Sequence, residues 1–117
     1  MGNPLMIKDS IVLVPFPFDD LSSYKVRPAL CLTSEIGDFE QVVIAFISSR
    51  IPPKLYPSDL VLRPDGQGWE KSGLITDSVV RLHKIVTIQK NMIRRRIGRL
   101  DEDSSAVVRM KLNTLFD

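Results

Sequence analysis

Six short runs of apolar and β-branched residues, each closed by turn-forming residues, leave this chain few options beyond a small, strongly curved sheet. The runs fall near residues 10–18, 27–34, 40–50, 58–63, 78–88 and 93–98. Between them lie connectors rich in turn formers: one around Gly37, one carrying Pro52-Pro53, and one from Pro64 to Gly73 with three glycines. A helix is expected only at the end. Asp101, Asp103 or Ser104 can cap it, the acids suit its positive N-terminus, and Val108, Leu112, Leu115 and Phe116 fall on one face. The pattern predicts a mainly β fold with a C-terminal helix, built as a closed or half-closed barrel, because closure removes exposed sheet edges.

With 117 residues the chain is the size of one domain, spanning 1–117. The longest apolar run, Ile11 to Phe18, contains two prolines and is far short of the roughly 20 residues that cross a bilayer. No membrane association is expected, and no export signal is read at the start. The single cysteine, Cys31, lies among Ala29, Leu30 and Leu32, which fits a reduced, buried thiol in the cytoplasm.

Charge is unevenly spread. Residues 81–100 carry Arg81, Lys84, Lys90, Arg94, Arg95, Arg96 and Arg99 and no acid, so the remaining nine cations face 14 acids elsewhere. The basic field therefore comes from one segment, and its expected partner is a polyanion or an acidic peptide.

The residue inventory removes several chemistries. One histidine and one cysteine cannot make the usual zinc ligand sets, so no metal or other cofactor is expected. Gly66-Gln67-Gly68 lacks the spacing of a phosphate-cradling loop, and Asp19-Asp20 reads as turn chemistry. Other positions remain. Arg27 precedes Pro28, which biases its backbone toward an extended conformation at a strand mouth and makes it a candidate anion-binding group. Ser48 and Arg50 share a face where the third run turns polar, and either could meet a phosphate, although a strand-end serine more often bonds backbone. In Val79-Val80-Arg81-Leu82-His83 a period of two puts Arg81 and His83 side by side. Alternation sets Arg95 with Ile93 and Ile97, and turns Arg94 and Arg96 toward solvent. Tyr24 and Trp69 lie where a base could stack, with Trp69 the better candidate for a lid on the core.

Four segments, Ile11 to Phe18, Lys25-Val26-Arg27-Pro28-Ala29-Leu30, Val43 to Arg50 and Asp77 to Ile88, followed by Ile97-Gly98-Arg99-Leu100, resemble the MazF/PemK family of toxin endoribonucleases. The resemblance implies a small SH3-like barrel of the MazF, Kid and CcdB type that forms a homodimer. It also implies metal-independent cleavage of single-stranded RNA at short sequences and inhibition by a cognate antitoxin with an acidic, disordered segment. Arg27 matches the family's arginine before proline, taken to stabilise the phosphorane charge. Ser48 falls where members place a threonine or serine on the scissile phosphate, and Arg81 matches an arginine used by some as general acid. His83 stands where the same members carry an aspartate base. Lys25, Ser49, Arg50, Arg94 and Arg96 are the expected RNA-binding residues. The competing readings are a binding protein of the same barrel shape that acts by contact alone, as a gyrase-inhibiting relative does, and an inactive homologue that serves only as an interaction module.

Overall fold

The computed structural model describes residues 7–16 and 25–117. The end of the first expected strand, the Asp19-Asp20 pair and Tyr24 lie outside the described residues. Strands β1 (Ser10–Phe16), β2 (Lys25–Cys31), β3 (Gln41–Ser48), β4 (Asp59–Leu62), β5 (Ser78–Gln89) and β6 (Arg95–Arg99) form one antiparallel sheet in the order β4-β5-β3-β2-β1-β6. A short helix, α1 (Trp69–Ser72), lies between β4 and β5, and helix α2 (Glu102–Leu115) follows β6.

Alternation along the strands gives the sheet two apolar faces. On one, Ile11, Leu30, Ala45, Ile47, Val80 and Leu82 cluster with Leu62 of β4 and with Leu100, just beyond β6. Those last two come from opposite edges of the sheet, so the sheet is curled into a half-barrel around this cluster. Val108 of α2 enters the same cluster, and Trp69 and Leu112 pack against it partly buried. Val12, Val14, Ala29, Cys31, Val42 and Ile44 form the second cluster on the other face. Both clusters draw on segments far apart in the chain, so pairing between distant strands, rather than local order, holds the half-barrel together.

Helix is not confined to the end of the chain. The single turn of α1 is bracketed by Gly68 (φ 79°) and Gly73 (φ 74°), both left-handed, and Lys90–Met92 makes a 3-10 turn. The glycines that read as loop punctuation are the caps of α1. At α2, Asp101 is the cap, its side chain accepting from the Ser104 N–H at 3.1 Å. Leu115 and Phe116 do not join the buried face: the helix ends at Leu115, and Phe116, beyond it, is 74% exposed.

Two irregularities interrupt the strand ladders. Between β3 and β5 the register jumps from Ala45↔Ile85 to Phe46↔Arg81, which leaves residues 82–84 of β5 outside that ladder. Between β1 and β6 it shifts so that Arg96 lies opposite Val12 and Arg95 opposite Leu13.

Candidate functional site

The β5 bulge sets the first group. Bulges bend a strand and re-aim its side chains. Arg81 lies just before it, opposite Asp59 of β4, and His83 lies inside it. Arg81 Nε donates to Asp59 Oδ1 at 2.9 Å and Nη2 to Oδ2 at 3.4 Å, with the arginine side chain 15% exposed and the carboxylate fully buried. His83 Nδ1 shares a 2.7 Å hydrogen bond with Ser58 Oγ and lies 4.0 Å from Asp59 Oδ1. The Tyr56 ring meets the His83 imidazole edge-on at 5.6 Å, and the Arg81 guanidinium stands over that ring, also at 5.6 Å. Arg81 and His83 are thus neighbours, and they share a buried carboxylate.

A second group gathers where β2 begins and β3 ends. Lys25 and Arg27 of β2, Ser49 and Arg95 border a cleft of about 540 Å³ that also has Val26, Leu74 and Ile75 in its walls. Among the described residues lining it, Lys25, Arg27 and Arg95 are cations and none is an acid, so its field is positive. Ser48 lies on the opposite face from Ile47, and its hydroxyl closes a local turn: it accepts from the Arg50 N–H at 3.0 Å and donates to the Arg50 carbonyl at 3.3 Å. Arg50 itself is exposed.

The two groups meet through Arg27. The β2–β3 register pairs Ala29 with Phe46, and continuing it two residues sets Arg27 level with Ser48, on the face that also carries Arg81. Strands are spaced by about 4.8 Å, so β2 and β5, flanking β3, lie roughly 10 Å apart. Arg81 is drawn to Asp59 on the far side of β5, so of the two arginines it is Arg27 that lies level with Ser48.

The arginine run divides differently from the expected alternation, because Ile93 and Arg94 precede β6. Ile93 packs on the second cluster while Ile97 and Arg95 border the cleft. Arg94 is exposed, its N–H held by the Leu13 carbonyl. Arg96, opposite Val12, donates through Nε to the Gly98 carbonyl at 3.4 Å. Burial pushes the Cys31 thiol up to about 12, with the Arg96 charge pulling the other way. Cys31 is therefore a neutral core side chain and no nucleophile.

A family model described as the PemK-like, MazF-like toxin of type II toxin-antitoxin systems matches residues 8–116. The chain belongs to this MazF-like toxin family. Solved MazF structures share its fold. The MazE-MazF structure (Form-II) from Deinococcus radiodurans is 22% identical, with a TM-score of 0.71, covering 97% of this chain and 97% of that one. The Mycobacterium tuberculosis toxin MazF-mt6 is also 22% identical, at TM-score 0.70 over 92% of this chain and 96% of that one. An endoribonuclease solved in complex with its cognate antitoxin, from mycobacterial species, is 13% identical, with TM-score 0.66 over 97% and 95% of the two chains. No curated protein matches the sequence.

Sequence reasoning missed three residues of this MazF-like chain's two groups, Tyr56, Ser58 and Asp59; it placed Arg95 in the basic run expected to meet a polyanion but not among the named RNA-binding residues. The available signal was Ser58-Asp59 at the head of the apolar run Leu60-Val61-Leu62, since an acid entering a buried strand requires a cation. Which cation depends on the β4–β5 register, and no local pattern specifies that.

Proposed function

We propose that this chain is the toxin of a toxin-antitoxin pair and a metal-independent endoribonuclease acting on single-stranded RNA. What carries the reading, beyond family membership, is the register that levels Arg27 with Ser48 and puts Arg81 one strand further along the same face, with His83 beside Arg81 through Ser58 and Asp59. The solved endoribonuclease of the same fold supports it.

RNA can be cleaved through its own 2′-hydroxyl, provided that a base removes the hydroxyl proton, a cation meets the charge developing on phosphorus and a donor serves the departing 5′-oxygen. His83 takes the 2′-hydroxyl proton through Nε2, its Nδ1 being engaged by Ser58. Arg27 faces the phosphorane oxygens with its forked donors, and the Ser48 hydroxyl adds a further hydrogen bond once it exchanges its bond to Arg50 for the phosphate. Arg81 delivers the proton to the 5′-oxygen. Lys25, Ser49 and Arg50 hold the flanking backbone with Arg95, while Arg94 and Arg96 extend the positive field. The products are a 2′,3′-cyclic phosphate and a 5′-hydroxyl.

Incubation of a labelled single-stranded RNA with the protein in EDTA tests this. The expected result is cleavage with 5′-ends that a polynucleotide kinase labels without prior dephosphorylation. No cleavage, or ends carrying a 5′-phosphate, would overturn it and favour a toxin that acts by contact alone.

A further inference from the structure

Asp59 is buried where a strand of this kind has no need of an acid. Its side chain has no exposed surface, it opens an edge strand that continues Leu60, Val61 and Leu62, and it accepts from three donors: Arg81 Nε, Arg81 Nη2 and the Tyr56 N–H at 2.8 Å. A buried ion pair contributes little net stability, because the desolvation of both ions offsets their attraction. Orientation is what it does supply. Held along its Nε–Nη2 edge, the guanidinium keeps both Nη1 hydrogens and one on Nη2 for a ligand. Ser58 does the matching work on the next residues. Its carbonyl accepts from the Leu82 N–H at 3.0 Å, inside the bulge that β3 does not pair, and its hydroxyl engages His83 Nδ1, leaving Nε2 as the ring nitrogen available to a substrate. One dipeptide therefore braces both side chains at the point where the β3–β5 ladder is interrupted.

We propose that Ser58 and Asp59 are positioning residues for RNA cleavage, Asp59 acting through Arg81 and Ser58 through His83. The inference rests on the cleavage reading and adds to it what orients the site: the entry to the edge strand β4, not the strand that bears Arg81 and His83.

The test is a pair of double-mutant cycles read by single-turnover cleavage, with affinity measured on an uncleavable 2′-deoxy oligonucleotide. Asp59→Asn should slow cleavage by about 100-fold, the scale of a misplacement of roughly 1 Å, and leave affinity within about threefold. Ser58→Ala should slow it by about tenfold, as one lost orienting hydrogen bond does. In an Arg81→Lys background Asp59→Asn should add little, and in a His83→Gln background Ser58→Ala should add little. A role in stability alone predicts the opposite: equal losses in either background, tracking the fall in melting temperature. Wild-type cleavage by Asp59→Asn, or an undiminished loss in the Arg81→Lys background, overturns the inference while the cleavage reading stands. A wild-type protein that binds the RNA and leaves it intact overturns the cleavage reading first. Should Asp59→Asn not fold, the Ser58 cycle and hydrogen exchange of the Arg81 Nε–H in the wild-type protein decide. Exchange as fast as that of a free guanidinium would refute the clamp.

Discussion

Arg27 owes its position to Pro28. The proline excludes helical backbone at Arg27, so the residue is held extended on β2, half-buried, opposite Val14 and outside both apolar clusters. Because its side chain supports neither cluster, Arg27→Ala should leave the fold intact while cleavage falls by about two to three orders of magnitude, the usual cost of one electrostatic donor to a transition state. Arg27→Lys should recover only part of that, since an ammonium cannot make a forked contact to two phosphate oxygens. Single-turnover rates beside unchanged unfolding curves check both, and a wild-type rate for Arg27→Ala would remove the residue from the chemistry. Arg27, Ser48, Arg81 and His83 could be singled out in the sequence as candidates because each interrupts or ends an apolar run. Asp59 could not, because its meaning comes from the strand opposite it.

Elements were legible where periodicity spoke and illegible where glycine did. All six strands fall within a few residues of their expected runs, yet α1 was hidden, because one helical turn between two glycines has no period to detect. Tertiary contact is what defines it. A side chain at Gly98 of β6 would strike the backbone carbonyls of Lys71 and Ser72, and one at Gly73 would strike that of Ile97, so α1 lies directly on β6. Gly98→Ala should therefore cost about 1–3 kcal/mol, the range for overpacking against groups that cannot move aside, read as a lower urea midpoint. At α2 the sequence narrowed the cap to Asp101, Asp103 or Ser104, the structure selects Asp101, and its energetics carry a pH dependence. Hydrogen bonding from Ser104, through its side chain first and its N–H as well, holds the Asp101 carboxylate below its ordinary value. A lowered folded value means that the cap's contribution is present above the ordinary aspartate range and is lost as pH falls through the lowered value. Asp101→Ala should cost about 1 kcal/mol at pH 7, and the gap from wild type should be smaller at an acidic pH below the ordinary aspartate range. An equal gap at both pH values would mean that the carboxylate charge is not what caps the helix.

Across the whole molecule the basic segment does not act as one field. Lys90 is taken up by Glu35 and Glu40 at 2.8 and 3.3 Å, and Arg81 by Asp59, whereas Arg95 joins Lys25 and Arg27 around a cleft that no acid lines among the described residues. Of that segment, Arg95 is thus the cation that joins Lys25 and Arg27 at the cleft. The same cleft has apolar walls at Val26, Leu74 and Ile75, with Val26 half exposed and Ile75 95% exposed. RNA needs the cations; an acidic peptide with apolar anchors would use the cations and the walls together. We propose that an acidic antitoxin segment and RNA occupy this surface in turn, and that two copies of the chain form a homodimer, as the family resemblance implies. Light scattering should then give twice the mass of one chain. Fluorescence anisotropy with a 2′-deoxy oligonucleotide should show displacement by a cognate antitoxin peptide, and Arg27→Ala or Arg95→Ala should weaken both ligands. Ile75→Ser separates the two modes of recognition: it should weaken the peptide while leaving the oligonucleotide within about twofold, because only the peptide buries apolar surface there. If peptide and oligonucleotide bind together without weakening each other, the antitoxin acts from another face, and the cleft belongs to RNA alone.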